Sequence, residues 1–327
     1  GLLTAVAVAI GGMAVMGNVT KGFPNRMSDQ VGDILAVRTT FGPNNKRCLN
    51  SRADVSFLNL DEVCVLGPDV PPKVAIWGDS HGAAILDSVA DSLALEGVSS
   101  RAYLLSSCLP IPGVLNYGQS RAERCTEFNE RVLQHIVLDE TLEVVVLVAT
   151  WDNYFLSHDW PNMLGRVGHD TFYSYPMNGA PDMPDDERQE GVELAVSLLI
   201  ETLTDAGKLV VIAQSNPRPN IGIPRYLARR VNNGHEYPNE IGYDRAYFDA
   251  QTALSHSVFQ DAASTFSTDQ VALVHPEETL CDRTTCKVVI DGNIVYSDDN
   301  HLSVYGAAKV SDLIVAAIFE QLGRTLK

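Results

Sequence analysis

Val74-Ala75-Ile76-Trp77-Gly78-Asp79-Ser80-His81 decides the reading of this chain. Four apolar residues run without a polar break, as a strand buried on both faces does, and then give way to Gly-Asp-Ser. A strand that ends this way projects a hydroxyl from a tight turn, so Ser80 is read as a nucleophile. Gly, Asp and Ser are also common turn residues, and the tetrapeptide alone leaves the plain turn open.

A second stretch lies more than two hundred residues on, at Asp298-Asp299-Asn300-His301-Leu302-Ser303, ahead of a helical segment. It offers a carboxylate and an imidazole three positions apart. A serine hydroxyl needs a base within hydrogen-bond reach, and that base needs an acceptor to orient it. Ser80, His301 and Asp298 fill those roles, with Asp299 the less favoured orienter by spacing. Taken alone, Asp298 to His301 reads first as a polar turn before a helix capped by Ser303.

The two motifs, in this order and at opposite ends of an α/β pattern, resemble the SGNH or GDSL-like hydrolase family. The likeness covers roughly residues 73 to 322, and the variant Gly-Asp-Ser-His with Asp-Asp-Asn-His-Leu-Ser is most similar to SGNH domains fused to membrane acyltransferases of the acyltransferase-3 type. Gly78-Asp79-Ser80-His81-Gly82 also fits the Gly-x-Ser-x-Gly elbow of α/β-hydrolases. In that fold the elbow follows several strands and the acid comes from another loop, whereas here the serine follows the first clear strand and Asp298 shares a loop with His301.

The resemblance implies a flavodoxin-like three-layer α/β sandwich around a parallel sheet. Its implied activity is transfer of an acyl group, most simply acetyl, through Ser80 to a hydroxyl of a bacterial surface polysaccharide such as the O-antigen of lipopolysaccharide. An acetyl or carbohydrate esterase is the alternative, since water can replace the sugar; a non-catalytic glycan-binding domain is the second. The family also implies an acyl donor delivered by a membrane acyltransferase domain of the same longer chain, at the periplasmic face of the inner membrane. No cofactor or metal is expected.

Family members complete the oxyanion hole with a second-loop backbone N–H and an Asn from a third block. The corresponding stretches here are Ser106-Ser107-Cys108-Leu109 and Ala149-Thr150-Trp151-Asp152-Asn153. Ser107 and the Ser80 N–H are candidate donors. Trp151 stands at the expected Asn position, so the third donor is missing, supplied by Asn153, or replaced by a backbone group. Trp151 itself reads either as a wall of an acyl or sugar site or as a core aromatic. His81 is given no catalytic role.

Composition bounds the remaining choices. The 327 residues carry a formal charge of −17, which argues against nucleic-acid phosphates as the main partner. Six cysteines fall in three local pairs, Cys48 with Cys64, Cys108 with Cys125 and Cys281 with Cys286, and are read as disulfides of an oxidising compartment. No Cys-x-x-Cys spacing favours zinc.

Residues 1–20 contain no charged side chain and are read as the end of a membrane helix or an apolar linker. Residues 21–72, closing on Pro71-Pro72, form an extension packed on a catalytic domain spanning 73–327. Strands are predicted at 73–77, 101–105, 143–149, 208–213 and 271–275, with helices at 83–96, 121–138, 186–206, 243–263 and 303–322. Residues 150–184 read as a long, substrate-facing loop.

Overall fold

The computed structural model describes residues 1–19, 27–50, 59–60, 63–117, 122–155, 162–165, 173–176 and 183–323. Its centre is a parallel sheet built from the five predicted apolar runs. In chain order the strands are β1 (Leu49–Asn50), β2 (Val65–Leu66), β3 (Val74–Gly78), β4 (Ser100–Leu105), β5 (Val114–Tyr117), β6 (Val144–Val148), β7 (Tyr173–Pro176), β8 (Leu209–Ala213), β9 (Ile241–Asp244), β10 (Val271–Val274), β11 (Thr285–Ile290) and β12 (Asn293–Ile294). The main sheet has the order β1-β4-β3-β6-β8-β10, parallel throughout, and β2 adds to the outer side of β4 antiparallel.

Residue parity along these strands sorts the core into two layers. Val74, Ile76, Val144, Val146, Val148 and Val211 join one cluster, and Ala75, Trp77, Val145, Leu147, Val210 and Ile212 join the other. Successive strand side chains point to opposite faces, so unbroken apolar runs mean that both faces are covered. The covering helices are α1 (Leu2–Val19), α2 (Asp29–Ala36), α3 (Asn45–Cys48), α4 (Ser80–Leu95), α5 (Ala122–Leu138), α6 (Trp151–Phe155), α7 (Asp185–Asp205), α8 (Ile223–Asn232), α9 (Arg245–Ala263), α10 (Glu277–Leu280) and α11 (Val304–Gln321), with α1 the exception. Helices α4 and α11 line the first layer, and α5, α7 and α9 line the second.

The first layer closes tightly because Gly306 carries no side chain. A Cβ there would lie 2.2 Å from the Val295 carbonyl oxygen. Ser303 caps α11, accepting the Gly306 N–H at 3.1 Å while its own hydroxyl donates to the Ile294 carbonyl at 2.6 Å.

Some elements depart from expectation. The helix expected from Tyr243 begins at Arg245, because Ile241–Asp244 pairs antiparallel with β11, and Asp244 then caps the helix by accepting the Ala246 N–H at 2.9 Å. The small sheet β12-β11-β9 and the ribbon of β5 with β7 were not foreseen; their strands are too short for a clear alternation. Within 150–184 the structure places α6 and β7, and the rest of the loop reading falls mostly outside the described residues.

Residues ahead of β3 contribute directly to the sheet. β1 and β2 lie in line along the outer side of β4, and the Cys48–Cys64 disulfide joins the segments that lead into them. Cys108–Cys125 ties the turn after β4 to α5, and Cys281–Cys286 closes the corner between α10 and β11. Helix α1 buries none of its residues against the rest of the chain. By length and composition it can cross a membrane: 18 residues rise about 27 Å against a hydrocarbon core of about 30 Å.

Candidate active site

Strand β3 is buried along its whole length and delivers its end to the carboxyl edge of the sheet. Gly78 is required there, since a Cβ would sit 1.9 Å from the Val148 carbonyl oxygen on β6. Asp79 then caps α4, accepting the His81 N–H at 2.8 Å. The same carboxylate accepts the Tyr154 hydroxyl at 3.2 Å and the Thr150 N–H at 3.4 Å, both from the segment that follows β6. Asp79 therefore pins the turn before α4 to its neighbour, and Ser80 starts the helix half-buried.

The partner side chains come from the loop between β12 and α11. Ser297 N–H donates to the His301 carbonyl at 2.9 Å, which folds the loop back on itself. Asp298 Oδ1 accepts the N–H groups of Asn300 at 3.0 Å and His301 at 2.7 Å. Its Oδ2 lies 2.8 Å from His301 Nδ1, and His301 Nε2 lies 2.8 Å from Ser80 Oγ. An ionised carboxylate only accepts, so Nδ1 carries the proton and Nε2 is left to accept from the serine hydroxyl. The loop is fixed from outside as well, because Ile223 and Asn220 donate backbone N–H groups to the Asp298 and Asp299 carbonyls at 3.1 and 3.0 Å.

The electrostatics follow from this geometry. Burial pushes the Asp298 carboxyl up, but the His301 hydrogen bond and charge and two backbone N–H groups outweigh it and hold the pKa at about 2. Burial pulls His301 down, yet the Asp298 hydrogen bond and the charges of Asp298, Asp79 and Asp299 raise it above 6.5. That is the direction a general base needs to hold a proton taken from serine.

His81 is stacked on His301, with ring centroids 4.6 Å apart and 29° between planes. Burial, then the charges of His301 and Arg218, hold it well below the ordinary histidine range. A neutral ring at this distance packs against the imidazolium without repelling it.

The candidate oxyanion and substrate residues divide. Ser107 lies in the exposed turn after β4 with φ 55°, a conformation few non-glycine residues adopt. Asn153 comes from α6 and accepts an Arg218 guanidinium N–H on its Oδ1, which turns its NH₂ group away from that cation. Trp151 is fully buried against Phe155 and Phe259, and its indole N–H donates to the Ala213 carbonyl at 2.7 Å. This burial is what the core-aromatic reading of Trp151 expects.

Arg218 was missed by the sequence reading. It follows β8 in Pro217-Arg218-Pro219, is 3% exposed, and pairs with the buried Asp152 of α6. Burial lowers its pKa to about 10, against the pull of Tyr247, Tyr243, Asp299 and Asp79. A proline-flanked arginine at the carboxyl end of a core strand was the available signal. Among the described residues, a group of side chains that could hold a metal ion, His256, His275 and Glu277, lies elsewhere.

Comparison with known proteins places the chain. Residues 47–316 match the model of the SGNH domain that is fused to AT3 domains. Among solved structures, the periplasmic domain of a lipopolysaccharide acetyltransferase from Salmonella ser. Paratyphi A aligns at 14% identity and a TM-score of 0.53, over 76% of this chain and 84% of that one. A GDSL-like lipase from Bacteroides thetaiotaomicron aligns at 11% identity and a TM-score of 0.40, over 76% and 87%. A catalytic mutant of an acetylxylan esterase from Geobacillus stearothermophilus aligns at 12% and 0.36, over 80% and 97%. No curated protein sequence matches.

Proposed function

The chain belongs to the family of SGNH domains fused to AT3 domains, and from that premise we propose that it is a serine-dependent O-acyltransferase domain acting on a bacterial surface polysaccharide. The observation that carries the reading is the unbroken relay from Ser80 Oγ through His301 to Asp298, each step 2.8 Å, at the carboxyl edge of a parallel sheet. That edge is where α/β folds place their chemistry.

In the proposed reaction Ser80 Oγ attacks the acyl carbonyl and its proton passes to His301 Nε2. The tetrahedral intermediate collapses as His301 returns that proton to the leaving group, and the acyl group remains on Ser80. A glycan hydroxyl then attacks the acyl-serine, gives its proton to His301, and the same proton restores the Ser80 hydroxyl. Asp298 holds the imidazole in the accepting tautomer and stabilises its charged form. The Ser80 N–H at the start of α4, the Ser107 turn and the Asn153 amide are the proposed donors to the oxyanion, and the dipole of α4 favours negative charge at the same end.

The proposed organisation keeps residues 1–20 as the end of a membrane helix or a linker, 21–72 as an extension and 73–327 as the catalytic domain. The donor would be an acyl group relayed by a membrane acyltransferase domain in the same longer chain, with this domain on the periplasmic face. Three disulfides support an oxidising compartment, and the exposed apolar helix α1 supports attachment at the N-terminal side.

The test is acetyl release from a chromogenic acetate ester by wild type and Ser80→Ala, with and without oligosaccharide acceptors. Acetylated sugar formed in preference to acetate, and lost in Ser80→Ala, is the expected result. Acetate alone with every acceptor would make the domain an esterase, and turnover indifferent to Ser80 would overturn the relay.

A further inference from the structure

A second cluster of ligating side chains lies at the edge strand of the sheet, where three elements meet. His256 comes from α9, His275 follows β10 directly, and Glu277 opens α10. Each offers one ligand atom within 4.8 Å of the other two. His275 Nδ1 and Glu277 Oε1 are hydrogen-bonded at 3.1 Å. The His256 ring stands nearly perpendicular to that of His275, with centroids 5.6 Å apart and 85° between planes.

The cluster is not satisfied by its own members. His256 Nε2 and Glu277 Oε2 are both buried with no hydrogen-bond partner among the described residues, and Glu277 as a whole is 6% exposed. A carboxylate oxygen has only lone pairs to offer, so a buried one calls for a donor or a cation. A buried carboxylate oxygen and a buried imidazole nitrogen, both without a hydrogen-bond partner among the described residues and gathered with His275 from three elements, form a set that an ion would complete.

We propose that His256, His275 and Glu277 bind one divalent transition-metal ion, with zinc the best match to the ligands, at a site separate from Ser80. Two imidazoles and a carboxylate suit a borderline cation. Calcium and magnesium take oxygen ligands, and copper(I) takes sulfur. Three protein ligands leave a fourth position to water. On a tetrahedral zinc ion with bonds of 2.0–2.2 Å, neighbouring ligand atoms lie about 3.3 to 3.5 Å apart, close to the present His275–Glu277 separation. Binding displaces the proton those two side chains share and requires the His256 ring to move inward.

The site would fasten α9 to the corner where β10 passes into α10. Glu277 stands four residues before Cys281, whose disulfide to Cys286 opens β11, and the chain then runs through β12 to Asp298 and His301. An ion here would anchor the beginning of the segment that carries two of the three relay residues.

The experiment uses the full chain in detergent, stripped with a chelator and titrated with zinc chloride or cobalt(II) chloride alone. One equivalent should bind, cobalt should give the visible absorption of a tetrahedral site, and zinc at a hundredfold over Kd should raise Tm by about 4 °C. His256→Gln and Glu277→Gln should each weaken binding at least tenfold, whereas His301→Gln should bind as wild type. Absence of saturable binding up to millimolar metal would overturn the proposal. So would unchanged affinity in His256→Gln, or binding abolished by His301→Gln, which would put the ion at the relay. If either variant fails to fold, protection of His256 and His275 in the wild-type chain from diethyl pyrocarbonate by zinc, read by peptide mass, decides the matter; equal labelling with and without zinc overturns it.

Discussion

Asp298→Asn should reduce kcat/KM for an acetate ester by about 10⁴, or roughly 5.4 kcal/mol of transition-state stabilisation. The loop geometry explains why the change is not conservative. Asp298 Oδ1 accepts two backbone N–H groups, from Asn300 and His301, and Oδ2 accepts His301 Nδ1–H. An asparagine has one acceptor oxygen. If it stays on the two N–H groups, the NH₂ faces Nδ1 and donates to it. The imidazole proton then moves to Nε2, where it points at Ser80 and cannot accept from it. The flipped amide restores the tautomer but sets NH₂ against two N–H donors, so the loop enforces the unproductive orientation.

The assay is kcat/KM from chromogenic acetate release between pH 5 and 9, with folding checked by the unfolding midpoint. Wild-type activity should fall as pH drops through a pKa above 6.5, because His301 must be neutral to accept the proton and its neighbours raise its pKa. Removing the Asp298 charge should move that limb to lower pH in the residual activity. Asp299→Asn is the control, since Asp299 is exposed and joins the loop through its carbonyl; it should lose less than about fivefold, as one exposed charge contributes below ~1 kcal/mol. A loss under tenfold in Asp298→Asn, or a larger loss in Asp299→Asn, would refute the assignment.

Two further outcomes follow from buried charges. Burial pushes the Asp79 carboxyl from 3.8 to about 6, with the Tyr154, Thr150 and His81 contacts opposing it. Because the folded value lies above the unfolded one, the native chain holds an extra proton between these values. The contribution of Asp79 to stability is fullest below pH 4 and is lost as pH rises through 6, by up to about 3 kcal/mol. The urea stability of wild type minus that of Asp79→Asn should fall by this order between pH 4 and 7.5, and a difference independent of pH would sink the argument. Arg218→Met leaves Asp152 buried without its cation and should cost about 3–5 kcal/mol in urea unfolding at pH 7. A loss below about 1 kcal/mol would mean that the pair does not organise the loop after β8.

Much of the geometry of the candidate site was legible because it is local. The turn from β3 into α4 needs only a buried strand, a glycine at a close crossing and a capping aspartate. Asp298 and His301 meet three residues apart through hydrogen bonds within their own loop. The five apolar runs likewise announced the parallel sheet, since burial on both faces writes itself into consecutive residues. The Ser303 cap and the imidazole were alternative readings of one motif, and the structure uses the stretch for both purposes.

The sequence by itself determined the five central strands and the helices that alternate with them, the turn at Ser80, and the local cysteine pairs. These depend on periodicity, capping and short separations. The tertiary structure alone decided which way Trp151 faces, that Arg218 crosses to Asp152, that His81 stacks on His301, and that His256 meets His275 and Glu277. Each of these joins residues from different elements, and their distance in space is set by how helices pack on the sheet, which no local pattern records. Burial then fixes their chemistry, because the same side chain is a solvated surface group in water and a constrained donor, acceptor or ligand beneath a helix.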